Sequence, residues 1–277
     1  MSVLTMNIES SYLKSNQEIS VILPDVPPNA DPRKFFENGE KYKVLWLLHG
    51  TFGDHTDWLR RTNIELYACE KNLAVVMPSA LNSNYSNWPK CMMGYNMYDY
   101  MTEELMPMVY NWFPISDKRE DNFIAGLSMG GRGCIKFAVN FPEKFAAAAV
   151  LSAAPQDFHK FTDEYLTSDD YFAERLRGMI ENAGGFEKFV NSEENVWDII
   201  DELAPTGKLP KLLFAYGTGD TVIVERMKDF KQHAKDINLD CEFWTLEGYR
   251  HEWRFWDQAI QYSLDFFGLK DTGYSKF

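Results

Sequence analysis

The sequence predicts an α/β fold in which a mostly parallel central sheet is flanked by helices. Short, nearly continuous apolar runs, typical of strands buried on both faces, alternate along the chain with segments of helical periodicity. The 277 residues, 45% of them apolar, suffice for one large α/β domain. We therefore expect a single domain over residues 1–277, with a helical, cap-like insertion at about 156–208.

Composition and charge narrow the classes of partner. Twenty-eight basic and 41 acidic residues give a formal net charge of −13, and no basic patch is present. Neither nucleic acid nor an anionic membrane surface is therefore an expected partner, and the acidity mildly disfavours anionic substrates. The four cysteines are widely spaced without a C-x-x-C pair. With no nucleotide-binding glycine motif either, we expect no metal and no cofactor.

The N-terminal residues carry no targeting pattern. Met1 to Met6 lack a basic segment followed by a long apolar run. This pattern predicts neither a signal peptide nor a membrane span, and we interpret the chain as a cytoplasmic enzyme. Assembly into a homo-oligomer stays open.

The first half of the chain alternates predicted strands with polar or helical segments. Apolar runs predict four strands: Leu4–Tyr12, Glu18–Leu23, Tyr42–Leu48 and Leu73–Met77. Residues 24–41 are rich in proline, asparagine and charge and predict a surface connection, whereas 56–71 predicts a helix. The aromatic loop over 78–95 either lines a substrate pocket or packs on the surface. Residues 96–112 have helical periodicity, and Pro107 predicts a kink or break.

The second half repeats this alternation. A strand ending near Leu127 is followed by three more apolar runs, at Phe145–Leu151, Lys211–Tyr216 and Asp240–Leu246. Helical segments are expected at 132–140 and from about 253 to Phe267. Residues 156–208 mix charged and aromatic side chains without a strand signal, which predicts a mostly helical cap inserted between strands.

A Gly-x-Ser-x-Gly motif follows the strand that ends near Leu127. Gly126, Ser128 and Gly130 fit the nucleophile elbow of α/β-hydrolases, a sharp strand-to-helix turn that projects the serine hydroxyl from the sheet. Glycine on either side avoids the clashes that a side chain would make in so tight a turn. The positive end of the following helix would point at the place where negative charge develops.

A second polar loop, His49 to Gly53, follows the strand over Tyr42–Leu48. In α/β-hydrolases the loop after an early central strand supplies one backbone N–H of the oxyanion hole, and the residue after the nucleophile supplies the other. We assign these donors to Thr51 and Met129, with Phe52 as the alternative for the first. His49 itself is interpreted as a core histidine bonded to the loop backbone.

An acid and a histidine follow later strands, in the order expected of this fold. Asp220 lies on a loop after Lys211–Tyr216, and His251 lies on a loop after the last strand. Loops at the carboxyl ends of parallel strands converge, so Ser128, Asp220 and His251 are predicted to form a catalytic triad. Glu225 and Asp240 are weaker candidates for the acid.

The chain resembles the putative-esterase (esterase D-like) family, which includes tributyrin esterases, S-formylglutathione hydrolases, and feruloyl and acetylxylan esterases of carbohydrate esterase family 1. The resemblance covers nearly the whole sequence and is strongest to the bacterial tributyrin esterase branch. The matching residues are Leu47-Leu48-His49-Gly50, Trp58, Asn87-Trp88, Asp99-Tyr100, Glu103-Glu104-Leu105, the 126–131 elbow, Gly219-Asp220, Gly248, His251 and Trp253.

The resemblance implies a serine carboxylesterase for short acyl chains, with acetyl or feruloyl esters of plant oligosaccharides as candidate substrates. Phe52, Trp58 and Trp88 are the candidate pocket residues. A thioesterase of the S-formylglutathione hydrolase type and an acyltransferase remain alternative enzymes. A non-catalytic binding protein on the same fold is the alternative from another class.

Overall fold

The computed structural model of the protein describes residues 1–26, 31–37 and 39–272. In these ranges the strands are β1 (Ser2–Ser10), β2 (Ser15–Leu23), β3 (Lys43–Leu48), β4 (Leu73–Pro78), β5 (Asn87–Trp88), β6 (Tyr95–Asn96), β7 (Asn122–Leu127), β8 (Ala147–Leu151), β9 (Lys211–Gly217) and β10 (Cys241–Leu246). The α-helices are α1 (Pro32–Glu37), α2 (Asp57–Arg61), α3 (Ile64–Glu70), α4 (Met97–Asp99), α5 (Met106–Trp112), α6 (Met129–Asn140), α7 (Asp163–Leu166), α8 (Tyr171–Ala183), α9 (Phe186–Val190), α10 (Val196–Leu203), α11 (Val224–Asp236) and α12 (Trp253–Phe266).

Eight of these strands form one sheet in the order β1-β2-β4-β3-β7-β8-β9-β10. The pairs from β4 to β10 are parallel, and only β1 and β2 join antiparallel at one edge. The strands β5 and β6 form a separate two-stranded antiparallel pair. The predicted architecture of a mostly parallel sheet is therefore confirmed.

The central strands are buried on both faces, as their continuous apolar sequences predict. In β3, Val44 and Trp46 face a core that includes α5, α6, α10 and α11, whereas Leu45 and Leu47 face a second core that includes α3 and α12. This alternation follows from the two-residue period of a strand. The two cores on either side of the sheet therefore hold the strands in place, and with them the loops that follow the strand ends.

The predicted strands before residue 80 are all present, with ends displaced by three residues or fewer. The connection over 24–41 contains α1, while residues 27–30 and 38 lie outside the described part of the chain. At Pro107 the helix does not break. Residues Tyr100–Leu105 adopt a π-helical turn, in which the Met106 N–H donates to the Met101 carbonyl, and α5 begins with Pro107 in its first turn.

The stretch between β8 and β9 contains the helices α7 to α10 and no strand, and every residue in it is described. The stretch is therefore mostly helical, and its role as a cap-like insertion at about 156–208 stays a prediction. The N-terminus of α8 is capped by Asp170, whose carboxylate accepts the N–H groups of Phe172 and Ala173. The first turn of this helix contributes side chains to the cleft described next.

Candidate active site

The elbow has the geometry predicted from its glycines. Ser128 links β7 to α6 with φ 53° and ψ −114°, a conformation that side chains rarely adopt. A Cβ on Gly126 would lie 2.3 Å from the Gly130 carbonyl oxygen, and one on Gly130 would lie 2.5 Å from the carbonyl oxygens of His49 and Leu48. These close approaches require glycine at both positions.

Three side chains from three loops form one hydrogen-bonded chain. The Ser128 Oγ lies 2.9 Å from His251 Nε2, and His251 Nδ1 lies 2.8 Å from Asp220 Oδ2. Asp220 is fully buried, whereas His251 is partly exposed. An Nδ1–H that donates to the carboxylate leaves Nε2 free to accept the serine hydroxyl, which is the arrangement a general base needs.

Backbone hydrogen bonds hold the acid loop against the histidine loop. Gly219 N–H donates to the Tyr249 carbonyl at 2.9 Å, and Gly248 N–H donates to Thr218 Oγ1 at 2.9 Å. The second oxygen of Asp220 accepts the Val222 N–H at 3.1 Å, so both carboxylate oxygens are engaged. The orientation of Asp220 toward the imidazole is therefore fixed by its surroundings.

The other candidate acids lie elsewhere. Glu225 is exposed on α11 and forms an ion pair with Lys228 at 2.6 Å. Asp240 precedes β10 and is therefore at the amino end of that strand, opposite the end that leads to His251. Of the three carboxylates considered from the sequence, only Asp220 contacts His251.

The His49–Gly53 loop is supported from the core. His49 is buried, its Nδ1 donates to the Gly50 carbonyl at 2.7 Å, and its Nε2 accepts the Ala80 N–H at 2.8 Å. Burial lowers the pKa of His49, which favours this neutral tautomer. The interpretation of His49 as a core histidine is thus confirmed.

The two candidate oxyanion donors flank Ser128. Thr51 and Met129 line the same cleft as Ser128 and His251. Phe52, the alternative donor, has its N–H bonded to Asn82 Oδ1 at 2.8 Å. That bond occupies the Phe52 N–H and leaves Thr51 as the candidate from this loop.

The cleft beside Ser128 has a volume of about 230 Å³. Its remaining walls come from the elbow helix, the strand β8 loop, α8 and the start of α11. The lining residues are Thr51, Phe52, Ser128, Met129, Arg132, Ser152, Ala153, Tyr171, Phe172, Arg175, Val222, Ile223, Arg226 and His251. Phe52 is 86% exposed and stands at the rim of this cleft.

A comparison with known families identifies the group to which this architecture belongs. The family model described as Putative esterase matches residues 10–261. The chain belongs to this family. An acetyl esterase of Caldicellulosiruptor saccharolyticus is 29% identical over 270 residues, which cover 94% of this chain and 96% of that protein.

Two solved structures superpose on nearly the whole chain. S-formylglutathione hydrolase of Staphylococcus aureus is 32% identical with a TM-score of 0.77, and the match covers 96% of this chain and 98% of that one. A fluorophosphonate-binding serine hydrolase of Staphylococcus aureus is 32% identical with a TM-score of 0.76 and the same coverage. The protein therefore has the α/β-hydrolase fold and is a carboxylesterase.

Two aromatic residues predicted for the pocket of this esterase lie elsewhere. Trp58 is buried, its Nε1 donates to the Leu48 carbonyl at 3.1 Å, and its ring packs edge-on against Trp253. Trp88 donates to the Ser83 carbonyl and borders a separate cavity of about 510 Å³ beside Met92 and Met93. The first stabilises the end of β3, and the second stabilises the 78–95 loop.

Three arginines that were not predicted from the sequence line the cleft of the esterase. Arg132 lies one helical turn after Ser128, so its position near the elbow was available from the motif. Arg175 and Arg226 come from α8 and α11 and carry no motif that marks them.

Within residues 1–26, 31–37 and 39–272, no group of three or more histidine, cysteine, aspartate or glutamate side chains has metal-binding geometry. The same part of the chain has no helix that is long and apolar enough to cross a membrane.

Proposed function

We propose that this esterase is a serine hydrolase of short-chain acyl esters that forms an acyl-enzyme on Ser128. The observation that supports the proposal is the continuous hydrogen-bonded chain from Ser128 Oγ through His251 to the buried Asp220, at the wall of a cleft. A serine hydroxyl is a weak nucleophile at neutral pH unless an adjacent base accepts its proton.

In the acylation step, Ser128 Oγ attacks the ester carbonyl while His251 Nε2 takes the hydroxyl proton. Asp220 stabilises the imidazolium through the Nδ1–H bond. His251 then gives the proton to the leaving alcohol. Water activated by the same imidazole attacks the acyl-enzyme and releases the acid, which returns Ser128 to its protonated form.

The negative charge of the tetrahedral intermediate would be bound by the backbone N–H groups of Thr51 and Met129. Met129 is the first residue of α6, so its N–H has no partner within that helix, and the helix dipole adds to the attraction. In comparable sites the loss of one such donor costs about 3–4 kcal/mol.

The cleft of about 230 Å³ favours a small acyl group over a long chain. The likeness to an acetyl esterase supports acetyl esters as substrates. The likeness to an S-formylglutathione hydrolase supports a second candidate, the hydrolysis of small thioesters by the same residues.

The test compares wild-type protein with Ser128→Ala on p-nitrophenyl acetate, butyrate and octanoate, acetylated xylo-oligosaccharide, methyl ferulate and S-formylglutathione. We expect the acetate to exceed the octanoate in kcat/KM, and Ser128→Ala to lose at least about 10⁴-fold of kcat. The substrate with the highest kcat/KM shows whether the enzyme prefers oxygen esters or thioesters.

A matched control is available within the chain. Ser20 also bonds to a histidine, at 2.7 Å from His55 Nδ1, but it is fully buried in β2. Ser20→Ala should keep the wild-type rate. Retention of the rate by folded Ser128→Ala would overturn the nucleophile assignment, and inactivity of folded wild-type protein on every substrate would favour a transferase or a binding protein.

A further inference from the structure

Three arginines from three different helices converge on the cleft that contains Ser128. Arg132 comes from the elbow helix α6, Arg175 from α8 and Arg226 from α11, and all three are partly buried. Arg132 and Arg175 also line the adjoining cavity that opens toward Phe158 and Phe161. The guanidinium groups of this arginine cluster therefore border the space next to Ser128 that an ester substrate would occupy.

Among the described residues, no carboxylate forms a direct ion pair with the arginine cluster. No aspartate or glutamate is among the described residues that line the cleft. In the whole described part of the chain, no carboxylate oxygen lies within 4.0 Å of a nitrogen of these three guanidinium groups. Arg175 Nη1 donates to the neutral Thr51 Oγ1 at 3.1 Å. Asp170, whose charge reaches Arg226, uses its carboxylate to cap α8.

Part of each guanidinium is held by apolar or neutral groups. Arg226 lies with Cζ 4.4 Å from the centre of the Phe172 ring, and Arg132 lies 6.0 Å from the same ring. Two nitrogens are left buried without a hydrogen-bond partner, Nη2 of Arg175 and Nη1 of Arg226. A buried donor without an acceptor is costly, and more so when it is charged.

The protein pairs its other buried cation. Lys136, on the same helix as Arg132, bonds to Glu194 at 2.8 Å and to Ser86 Oγ at 2.8 Å. In the arginine cluster, by contrast, burial and the nearby charges of Arg226 and Arg175 lower the pKa of Arg132. The Glu194 carboxylate acts on the pKa of Arg132 in the opposite direction, but it is bonded to Lys136. The repulsion among the three arginines is therefore not neutralised by a carboxylate of their own, as expected of a site that receives an anion.

We propose that the arginine cluster binds an anionic group of the substrate, a carboxylate or a phosphate, so that the enzyme prefers esters or thioesters that carry this second group near the scissile bond. The inference rests on the proposed function and adds the substrate's charge to it. Guanidinium forks match carboxylate and phosphate oxygens in geometry, and one such charge-assisted contact contributes strongly to binding.

The first test uses substrate pairs that differ in charge. On the alcohol side, 4-acetoxybenzoate and 4-acetoxyphenyl phosphate are compared with neutral methyl 4-acetoxybenzoate. On the acyl side, monoethyl succinate is compared with ethyl butyrate. We expect at least one anionic member to exceed its neutral partner about 10-fold or more in kcat/KM, mainly through KM, with the advantage falling as NaCl is added. The preferred member distinguishes carboxylate from phosphate.

The second test uses Arg226→Gln, with Arg60→Gln as the matched control because Arg60 is an exposed arginine on α2. Arg226→Gln should lower the ratio of anionic to neutral kcat/KM by about 10-fold, toward 1, whereas Arg60→Gln should leave that ratio at its wild-type value. Equal rates on charged and neutral esters by wild-type protein, or an unchanged ratio in folded Arg226→Gln, would overturn the proposal.

A third readout does not depend on catalysis. Succinate or inorganic phosphate should raise the Tm of wild-type protein and of Ser128→Ala in a concentration-dependent way, and raise that of Arg226→Gln less. This titration decides the anion site even where no ester is hydrolysed, in which case the proposed function fails and the anion site stands. No Tm response to either anion, together with hydrolysis of neutral esters, would refute the anion site and leave the esterase intact.

Discussion

Replacing Asp220 by asparagine tests whether the carboxylate controls the tautomer of His251. In the native site Asp220 Oδ1 accepts the Val222 N–H at 3.1 Å and Oδ2 lies 2.8 Å from His251 Nδ1. An asparagine oxygen that keeps the Val222 bond turns its NH₂ toward Nδ1. The imidazole then accepts at Nδ1 and carries its proton on Nε2, which no longer accepts the hydroxyl proton of Ser128.

The magnitude follows from what the reactive tautomer would need. In the reactive tautomer, the amide N–H of the new asparagine and the Nδ1–H of His251 would point at each other beside the fully buried position 220. One of these donors would be left unsatisfied, at a cost of about 1–3 kcal/mol. The imidazole would also lose its hydrogen bond to a charged acceptor, at a cost of about 1.5–3 kcal/mol. The developing imidazolium also loses its counter-charge. The first two costs sum to about 2.5–6 kcal/mol, and with the lost counter-charge we expect a loss of about 10³- to 10⁴-fold in kcat.

The assay is the steady-state hydrolysis of p-nitrophenyl acetate, with Ser128→Ala as the background and thermal melting as the check of folding. Glu225→Gln is the matched control, since it makes the same carboxylate-to-amide change on an exposed side chain that pairs with Lys228. We expect the control to stay within about 2-fold of wild type. A loss below 10-fold in well-folded Asp220→Asn would refute the tautomer argument, and a larger loss in the control would show that Glu225 is the acid.

Two further predictions concern packing and thiol reactivity. Gly130→Ala would place a Cβ 2.5 Å from two backbone oxygens and should lower the free energy of unfolding by about 2 kcal/mol or more in urea titrations. Gly178→Ala is the control, because its new Cβ meets no atom within 4 Å, and it should be neutral or stabilising. Equal stability of the two variants would contradict the close approach at Gly130. Cys91 is exposed and should react first with a disulfide reagent at pH 8. Burial raises the pKa of the Cys134 thiol and should delay its reaction until the protein unfolds. Loss of the fast phase in Cys134→Ser rather than in Cys91→Ser would contradict this order of reactivity.

The parts of the site that could be predicted from the sequence are those fixed by backbone geometry. Gly126 and Gly130 occupy positions where a Cβ would collide with main-chain atoms, so the motif and the turn imply each other. Asp220 and His251 follow strands of one parallel sheet, whose carboxyl ends converge on the same edge. The positions of all three triad candidates therefore depend on topology rather than on side-chain packing.

The pocket residues could not be predicted in the same way. A tryptophan near a motif buries similar apolar area whether its ring faces a substrate or the protein, and the ring of Trp58 packs on Trp253 instead of the cleft. Phe52 does line the cleft, but as a rim residue in a left-handed turn with φ 65°. Tertiary packing decides between these outcomes, and the local pattern contains no sign of it.

The arginines show why overall charge is a poor guide to the charge a cleft accepts. The net charge of −13 repels an anion through the summed field of many surface charges. At physiological salt this field is screened over about 8 Å. Arg132, Arg175 and Arg226 line the cleft itself, where charges interact at short range and are partly shielded from water. Arg175 and Arg226 lie on helices, where arginine is normally a solvent-facing residue, and in this fold both line the cleft beside Ser128. The local field is therefore a property of the fold.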